Sequence, residues 1–357
     1  LLRHRNTFLC RVRAKGGAEG WSVGHSGALR TLYPIFNHLL QPFFLGQDAR
    51  ELDLLLERVF VYRLNFRLNG MALGVPLATI EFALLDLLGR IAGRPMAQLL
   101  GDLRHPRVAV YQATEYRDRP VAESMRLITR DVEEYRAQAL KIKVGGLMFT
   151  TKDLRAKGPP GRTEEIVPLV RKTFGDALTL YADANGYYGV EEAIRVSRLL
   201  HEHRFAFFEE PVPFDWYEET RDVAHAAPLP IAGGEQEYSL HGFRWLIANH
   251  GLQIVQPDTY YFGGMVRSLQ VARMAHALGK QCTPHMTGGG LGYLYMIHLV
   301  SVLPNALAFH EFKGLRTEIE FSCPRLARLA VRLVPRPAGR SMSMIIDAVC
   351  SIERWLA

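Results

Sequence analysis

Cysteine is scarce in this chain of 357 residues. Cys10, Cys282, Cys323 and Cys350 are scattered without CxxC spacing, and a chain this long folds without disulfide staples, so all four read as reduced thiols of a cytoplasmic protein. Long apolar runs are lacking too. None approaches the roughly 20 residues that span a bilayer, and no charged, apolar and small-residue leader opens the sequence. The expectation is a soluble, cytoplasmic protein with no membrane partner. Acidic residues are fewer than basic ones, for a net charge of +7, but the imbalance is local. Residues 324–357 carry Arg325, Arg328, Arg332, Arg336, Arg340 and Arg354 against Asp347 and Glu353, a net +4 that leaves only +3 for the other 323 residues. Pro335 and Pro337 oppose one continuous helix there. A solvated basic tail accounts for the excess, and no nucleic-acid partner is expected.

Apolar residues are plentiful, 48% of the chain, enough for a large core. Residues 7–23 alternate apolar and polar around Gly16-Gly17, the pattern of a β-hairpin. Helical patterns follow near 28–40, 48–62 and 76–92. In the last, Ile80, Ala83, Leu84, Leu87, Leu88 and Ile91 share one face, and Gly93 and Pro95 stop the helix. These elements make an α+β unit over residues 1–106. From Val108, eight strand-like runs alternate with amphipathic helices: VAVYQA, ALKIKV, LTLYAD, FAFFEEP, LPIAGGE, LQIVQPD, KQCTPH and ALAFHEF. Such parallel βαβ units suit either a doubly wound sheet or a closed barrel. Eight consecutive units favour the barrel, which alone takes about 250 residues and leaves room for a smaller domain. The expected fold is α/β, a (β/α)8-type TIM barrel over 107–322 with an N-terminal α+β capping domain and a divergent segment, 323–357, returning toward the cap. The stretch 144–165 is too long for an ordinary βα loop and reads as a lid or a disordered segment.

Seven polar residues close these runs: Lys143, Asp183, Glu209, Glu235, Asp258, His285 and Glu311, at intervals of 40, 26, 26, 23, 27 and 26 residues. In a parallel barrel the strand ends converge on one mouth, where active sites lie. Asp183, Glu209 and Glu235 close successive strands, and three carboxylates in one pocket repel one another unless a cation neutralises them. Oxygen donors without cysteine or histidine favour Mg2+. A helix cap or ion pair explains one such acid better than three in register.

Lys141 and Lys143 lie two apart, so both point to the barrel interior. Two adjacent ammonium groups are expected to lower each other's pKa, which makes a base; the duller role is charge balance against the acids. Asp258 and His285 close neighbouring strands, where a carboxylate orients an imidazole and raises its pKa. Glu311, if protonated, donates to a substrate carboxylate; if ionised, it pairs with a lysine. Together these residues describe proton abstraction beside a carboxylate. The substrate carboxylate binds Mg2+, Lys143 or His285 removes the α-proton, and metal, Lys141 and Glu311 stabilise the enediolate.

From about Thr7 to Glu311 the sequence resembles the enolase superfamily, in its mandelate racemase subgroup. The resemblance rests on Lys141-Ile142-Lys143, Asp183-Ala184-Asn185, Glu209-Glu210-Pro211, Gly234-Glu235, Gln256-Pro257-Asp258 with Gly263-Gly264, Pro284-His285, and the helix ATIEFALLDLLGRIAGRPMAQLLG. Each motif is weak alone; their order and spacing are specific. The resemblance implies Asp183, Glu209 and Glu235 as Mg2+ ligands, with Glu209 preferred to Glu210 because relatives carry Gln at the second position. It implies Lys143 as base on one face and His285 with Asp258 as acid/base dyad on the other. It also implies a cap whose loops choose the substrate, and a homo-oligomer. Gly24, His25, Ser26 and Tyr111 are the geometric candidates for substrate contacts. Because the subgroup is populated mainly by acid-sugar dehydratases, the expected activity is a hydro-lyase's: His285 protonates the leaving 3-hydroxyl of an acid sugar and a 2-keto-3-deoxy acid results. A racemase or epimerase using the same two bases is the alternative. A non-catalytic barrel used for binding is the alternative of another class.

Overall fold

The structure is a computed structural model that describes residues 8–146, 161–287, 292–313 and 343–345. β1 (Leu9–Arg13) and β2 (Glu19–Val23) form the expected antiparallel hairpin, and Gly17, at φ +87°, supplies the left-handed turn residue. α1 (Ser26–Ile35), α2 (Gln41–Phe44), α3 (Leu52–Val61), α4 (Met71–Ala92) and α5 (Met96–Leu100) follow. The sequence pattern starts α4 at residue 76, five residues late. Proline commonly opens a helix, but Pro76 lies inside this one, where its missing N–H costs a single intrahelical bond in a segment held by burial almost all round.

α4 also corrects the expectation about apolar runs. At 22 residues it is, among the described residues, the one helix long and apolar enough to cross a membrane by length and composition. It serves instead as the central helix of the N-terminal unit, with 83% of its most apolar stretch buried. The hairpin lies so close that a Cβ on Gly20 would stand 2.1 Å from the Ala83 carbonyl oxygen. Asp86 of α4 accepts the Trp21 N–H at 2.7 Å and Arg90 Nε at 2.8 Å.

The second unit runs β3 (Arg107–Ala113), α6 (Val121–Tyr135), β4 (Ala139–Lys143), α7 (Arg162–Phe174), β5 (Thr179–Asp183), α8 (Val190–Glu202), β6 (Phe205–Glu209), α9 (Tyr217–Ala226), β7 (Ile231–Gly233), α10 (Leu240–Ala248), β8 (Ile254–Val255), α11 (Met265–Ala277), β9 (Gln281–Cys282), α12 (Gly292–Val300) and β10 (His310–Phe312). The eight strands pair in parallel in chain order, with β10 beside β3. Cys282 closes the ring: its N–H donates to Asn305 O at 2.9 Å, and its carbonyl accepts from Leu307 N at 3.0 Å. Closure distinguishes the (β/α)8 TIM barrel from a doubly wound sheet, and the α+β unit precedes it. β11 (Ser343–Ile345) pairs antiparallel with residues 107–109 of β3. The rest of the tail, with all six of its arginines, and residues 147–160 of the long segment lie outside the described residues.

Two cores result from the alternation of each strand. Outward residues such as Leu140, Ile142 and Phe208 pack beneath the helices. Inward, Tyr111, Tyr181 and Phe207 fill the barrel with Ala113, Ala139, Ala232 and Ile254, and Tyr181 stacks on Phe207 at 4.1 Å. This aromatic plug is a floor, above which the polar strand ends face the mouth. The N-terminal unit grips the loops after β8. Tyr260 donates its hydroxyl to Val23 O at 2.8 Å, Glu81 of α4 accepts the Met265 N–H at 2.5 Å, and a Cβ on Gly74 would stand 2.1 Å from Tyr261 O.

Candidate active site

Lys143 pairs with Asp183, and Asp183 with Glu209, in register at the ends of β4, β5 and β6. Glu235, Asp258 and His285 stand two or three residues beyond β7, β8 and β9, and Glu311 lies within β10. All seven side chains are buried. Each of Asp183, Glu209 and Glu235 offers an oxygen, and these lie within 4.8 Å of one another. Burial and the charge of Asp183 push the Glu209 carboxyl up to about 7. Asp183 is held low: burial opposes this, but Lys143, Lys141 and Arg117 outweigh it. Glu235 Oε2 is buried 3.1 Å from His285 Nε2, yet takes no hydrogen bond among the described residues. Mutually repelling carboxylates with an unfilled oxygen fit a hard divalent cation. Glu210, with φ +38°, falls outside this cluster, and both its buried oxygens lack a hydrogen-bond partner among the described residues.

On one flank, Lys141 Nζ donates to both oxygens of Glu209 at 2.9 and 2.7 Å, lies 3.0 Å from Glu311 Oε1, and sits 5.4 Å from the centre of the Tyr111 ring. Lys143 Nζ bonds Asp183 Oδ2, and Asn185 Oδ1 at 2.9 Å. Lys141 does lower the Lys143 pKa, as the pairing predicts, but the net shift of both lysines is upward, in line with charge balance against the acids. Burial pushes both down and Lys141 acts on Lys143, but Glu209 and Glu311 around Lys141, and Asp183 and Glu115 around Lys143, outweigh these and hold both above the ordinary lysine value.

On the other flank, His285 Nδ1 lies 2.7 Å from Asp258 Oδ2. Asp258 is itself fixed by the N–H groups of Tyr260 and Tyr261, both at 2.8 Å. His285 rises to about 9: burial opposes protonation, but Glu235 and Glu311 outweigh it and Asp258 assists. Glu311 is the ionised alternative of the two. Burial would raise its pKa, but Lys141, Lys313 and His285 hold it well below the carboxylate range, and its Oε2 accepts the Met286 N–H at 2.9 Å.

Sequence reasoning missed four residues here. Asn185 donates through Nδ2 to Glu235 Oε1 at 3.4 Å and so bridges the two flanks. Arg117 donates to Asn185 Oδ1 at 2.6 Å. Gln256 donates to Glu209 Oε2 at 2.9 Å. Lys313 Nζ lies 3.5 Å from His285 Nε2. Asn185 and Gln256 sit inside motifs already singled out, and Glu311-Phe312-Lys313 repeats the spacing of Lys141 and Lys143. Arg117, in the loop after β3, carries no such signal. Of the candidate substrate contacts, Tyr111 is fully buried in the floor rather than at the mouth. Gly24 packs under Leu29, where a Cβ would clash, and Ser26 opens α1. His25 approaches the rim: its Nε2 is 3.4 Å from Thr287 Oγ1, and its ring is 6.0 Å from Tyr261, which stands 6.4 Å from His285.

Residues 123–334 match the enolase C-terminal domain-like family, and residues 3–101 match the mandelate racemase / muconate lactonizing enzyme N-terminal domain. The chain belongs to the enolase superfamily, in its mandelate racemase subgroup. It is 26% identical over 292 residues to an arabinonate dehydratase of Saccharolobus solfataricus, covering 81% of this chain and 73% of that one. With a D-galactonate dehydratase of Pectobacterium atrosepticum it shares 27% over 309 residues, covering 85% and 78%. A crystal structure of a mandelate racemase/muconate lactonizing protein from Paracoccus denitrificans, complexed with magnesium, superposes with a TM-score of 0.76 at 29% identity, covering 86% of this chain and 82% of that one.

Proposed function

We propose that this protein abstracts the α-proton of a hydroxy carboxylic acid with the help of Mg2+, and that it dehydrates an acid sugar to a 2-keto-3-deoxy acid. The observation that carries this reading is one buried triad of carboxylates with an amine on one flank and a carboxylate-oriented imidazole on the other. In it Asp183, Glu209 and Glu235 would hold Mg2+, which when bound would offset the charge of the substrate carboxylate and make the adjacent C–H more acidic. Burial and Lys141 lower the Lys143 pKa while Asp183 and Glu115 raise it, and a cation held by Asp183 would weaken the larger of these two opposing charges. Lys143 takes the α-proton. Lys141, fixed by Glu209 and Glu311, stays a cation beside the developing negative charge. Ionised Glu311 adds no such stabilisation; it positions Lys141 and the Met286 backbone. His285, held through Nδ1 by Asp258, delivers a proton through Nε2 to the leaving hydroxyl.

In the same reading residues 1–106 cap the barrel of 107–322. Two proton-handling groups on opposite flanks also suit a racemase or epimerase, which would return the proton to C2. Incubation with arabinonate, D-galactonate and other aldonic and aldaric acids in D2O with Mg2+ separates the readings. A 2-keto acid product is expected; deuterium at C2 without it makes the protein a racemase, and neither result removes both.

A further inference from the structure

We propose that Lys313 contacts the substrate, donating a hydrogen bond to the oxygen that leaves C3 of the acid sugar; this rests on the dehydratase reading above. Glu311 and Lys313 are two residues apart at the end of β10, so both side chains face the mouth, Lys313 nearer solvent. Lys141 and Lys143 each have a carboxylate within hydrogen-bond reach. Among the described residues Lys313 Nζ has none: Glu115 Oε1 is 3.8 Å away and Glu311 Oε1 is 4.0 Å. His285 Nε2 lies 3.5 Å from Lys313 Nζ, nearer than either of these carboxylates. The Lys313 side chain is 30% exposed. The stem starts from a fixed point, because the Lys313 N–H bonds the hydroxyl of Tyr293, whose ring packs 4.8 Å from Phe312.

Two donors 3.5 Å apart can share one oxygen lying about 2.8 Å from each. An oxygen on the Lys313 side of His285 Nε2 that receives its proton therefore also lies within reach of Lys313. In the elimination, Lys143 takes the C2 proton, and the electron pair left behind forms the C2=C3 bond as the C3–O bond breaks. The departing oxygen keeps that bond's electron pair, takes the proton from His285 and leaves as water. The enol then ketonises, gaining a proton at C3 and losing one from its hydroxyl. Lys313 stays protonated throughout, and its hydrogen bond strengthens as negative charge gathers on the departing oxygen. Exchange at C2 does not use this contact; elimination does.

The test compares wild type with Lys313→Met and Lys313→Arg on arabinonate and D-galactonate in D2O with Mg2+, reading C2 deuterium and 2-keto-3-deoxy product separately. Lys313→Met is expected to slow product formation about 10²-fold, the scale of losing one donor to a developing oxyanion, while leaving C2 exchange nearly unchanged. Lys313→Arg, which keeps a donor, is expected to recover part of the loss. Unchanged product formation in Lys313→Met overturns the proposal, as does equal loss of exchange and elimination in a variant that melts like wild type. A wild type that exchanges without eliminating overturns it together with the dehydratase reading but leaves α-proton abstraction standing; one that does neither removes both.

Discussion

Lys143, Asp183 and Glu209 are the last residues of strands five residues long, and the ladder that pairs them also sets their spacing. Asp258 and His285 stand beyond strands of two residues, and what holds them is a set of bonds to loop backbone, Tyr260 and Tyr261 N–H on Asp258 and Met286 N–H on Glu311. The lysine flank is thus part of the sheet, while the histidine flank depends on loops that the N-terminal unit presses into place through Gly74, Glu81 and Val23. Precision in the first costs nothing beyond folding the barrel. In the second it depends on docking, which leaves that flank free to vary.

The largest expected effect separates the two chemically. Lys143→Ala should lower α-proton exchange by about 10²–10⁴-fold, the contribution of a positioned base, with circular dichroism unchanged. His285→Asn should remove dehydration on the same scale and leave C2 exchange in place. Loss of exchange in His285→Asn would show that the flanks do not divide the labour.

Docking can be loosened without touching the site. Gly74→Ala puts a methyl against Tyr261 O and should cost dehydration about 10²-fold through displacement of the histidine flank, with Mg2+ affinity kept. Equal loss of Mg2+ binding would contradict a sheet-borne lysine flank. Acid should act in the same direction. His298 Nδ1 of α12 accepts the Ala97 N–H of α5 at 3.3 Å, and burial lowers its pKa from 6.5 to about 4. A depressed histidine stabilises the fold fully above its unfolded pKa of 6.5 and loses that contribution as pH falls through about 4. The loss amounts to about 3 kcal/mol. Melting temperature should fall across this window, and less steeply in His298→Gln; parallel profiles would remove His298 as the cause. The smallest effect belongs to groups behind the triad: Gln256→Ala should weaken Mg2+ binding about 10–100-fold by releasing Glu209, measured by titration.

The same contrast explains what could be read from the chain alone. Strands such as ALKIKV and LTLYAD announce themselves by β-branched and aromatic alternation, and counting from their ends reaches Lys143, Asp183 and Glu209 because a strand is rigid. Beyond the short β8 and β9 the intervals still led to Asp258 and His285, since their motifs are local. Which of the two lysine roles prevails is not legible in sequence, because it depends on acids from other strands, Glu209 and Glu311 around Lys141, whose distances no one-dimensional pattern contains. Arg117 is invisible for the same reason, and Tyr111 is no substrate contact because it lies in the floor below Lys141, a depth its strand position does not reveal. Pro76 misled by a sound local rule that burial overrode.

The central claim is that Asp183, Glu209 and Glu235 together hold one divalent cation. Calorimetric titration of Mg2+ into chelator-stripped protein, alongside Asp183→Asn, Glu209→Gln and Glu235→Gln, tests it most directly. One ion per chain, lost or strongly weakened in each variant, is the predicted result; a folded wild type that takes up no Mg2+, or variants that bind it as well as wild type, would contradict it.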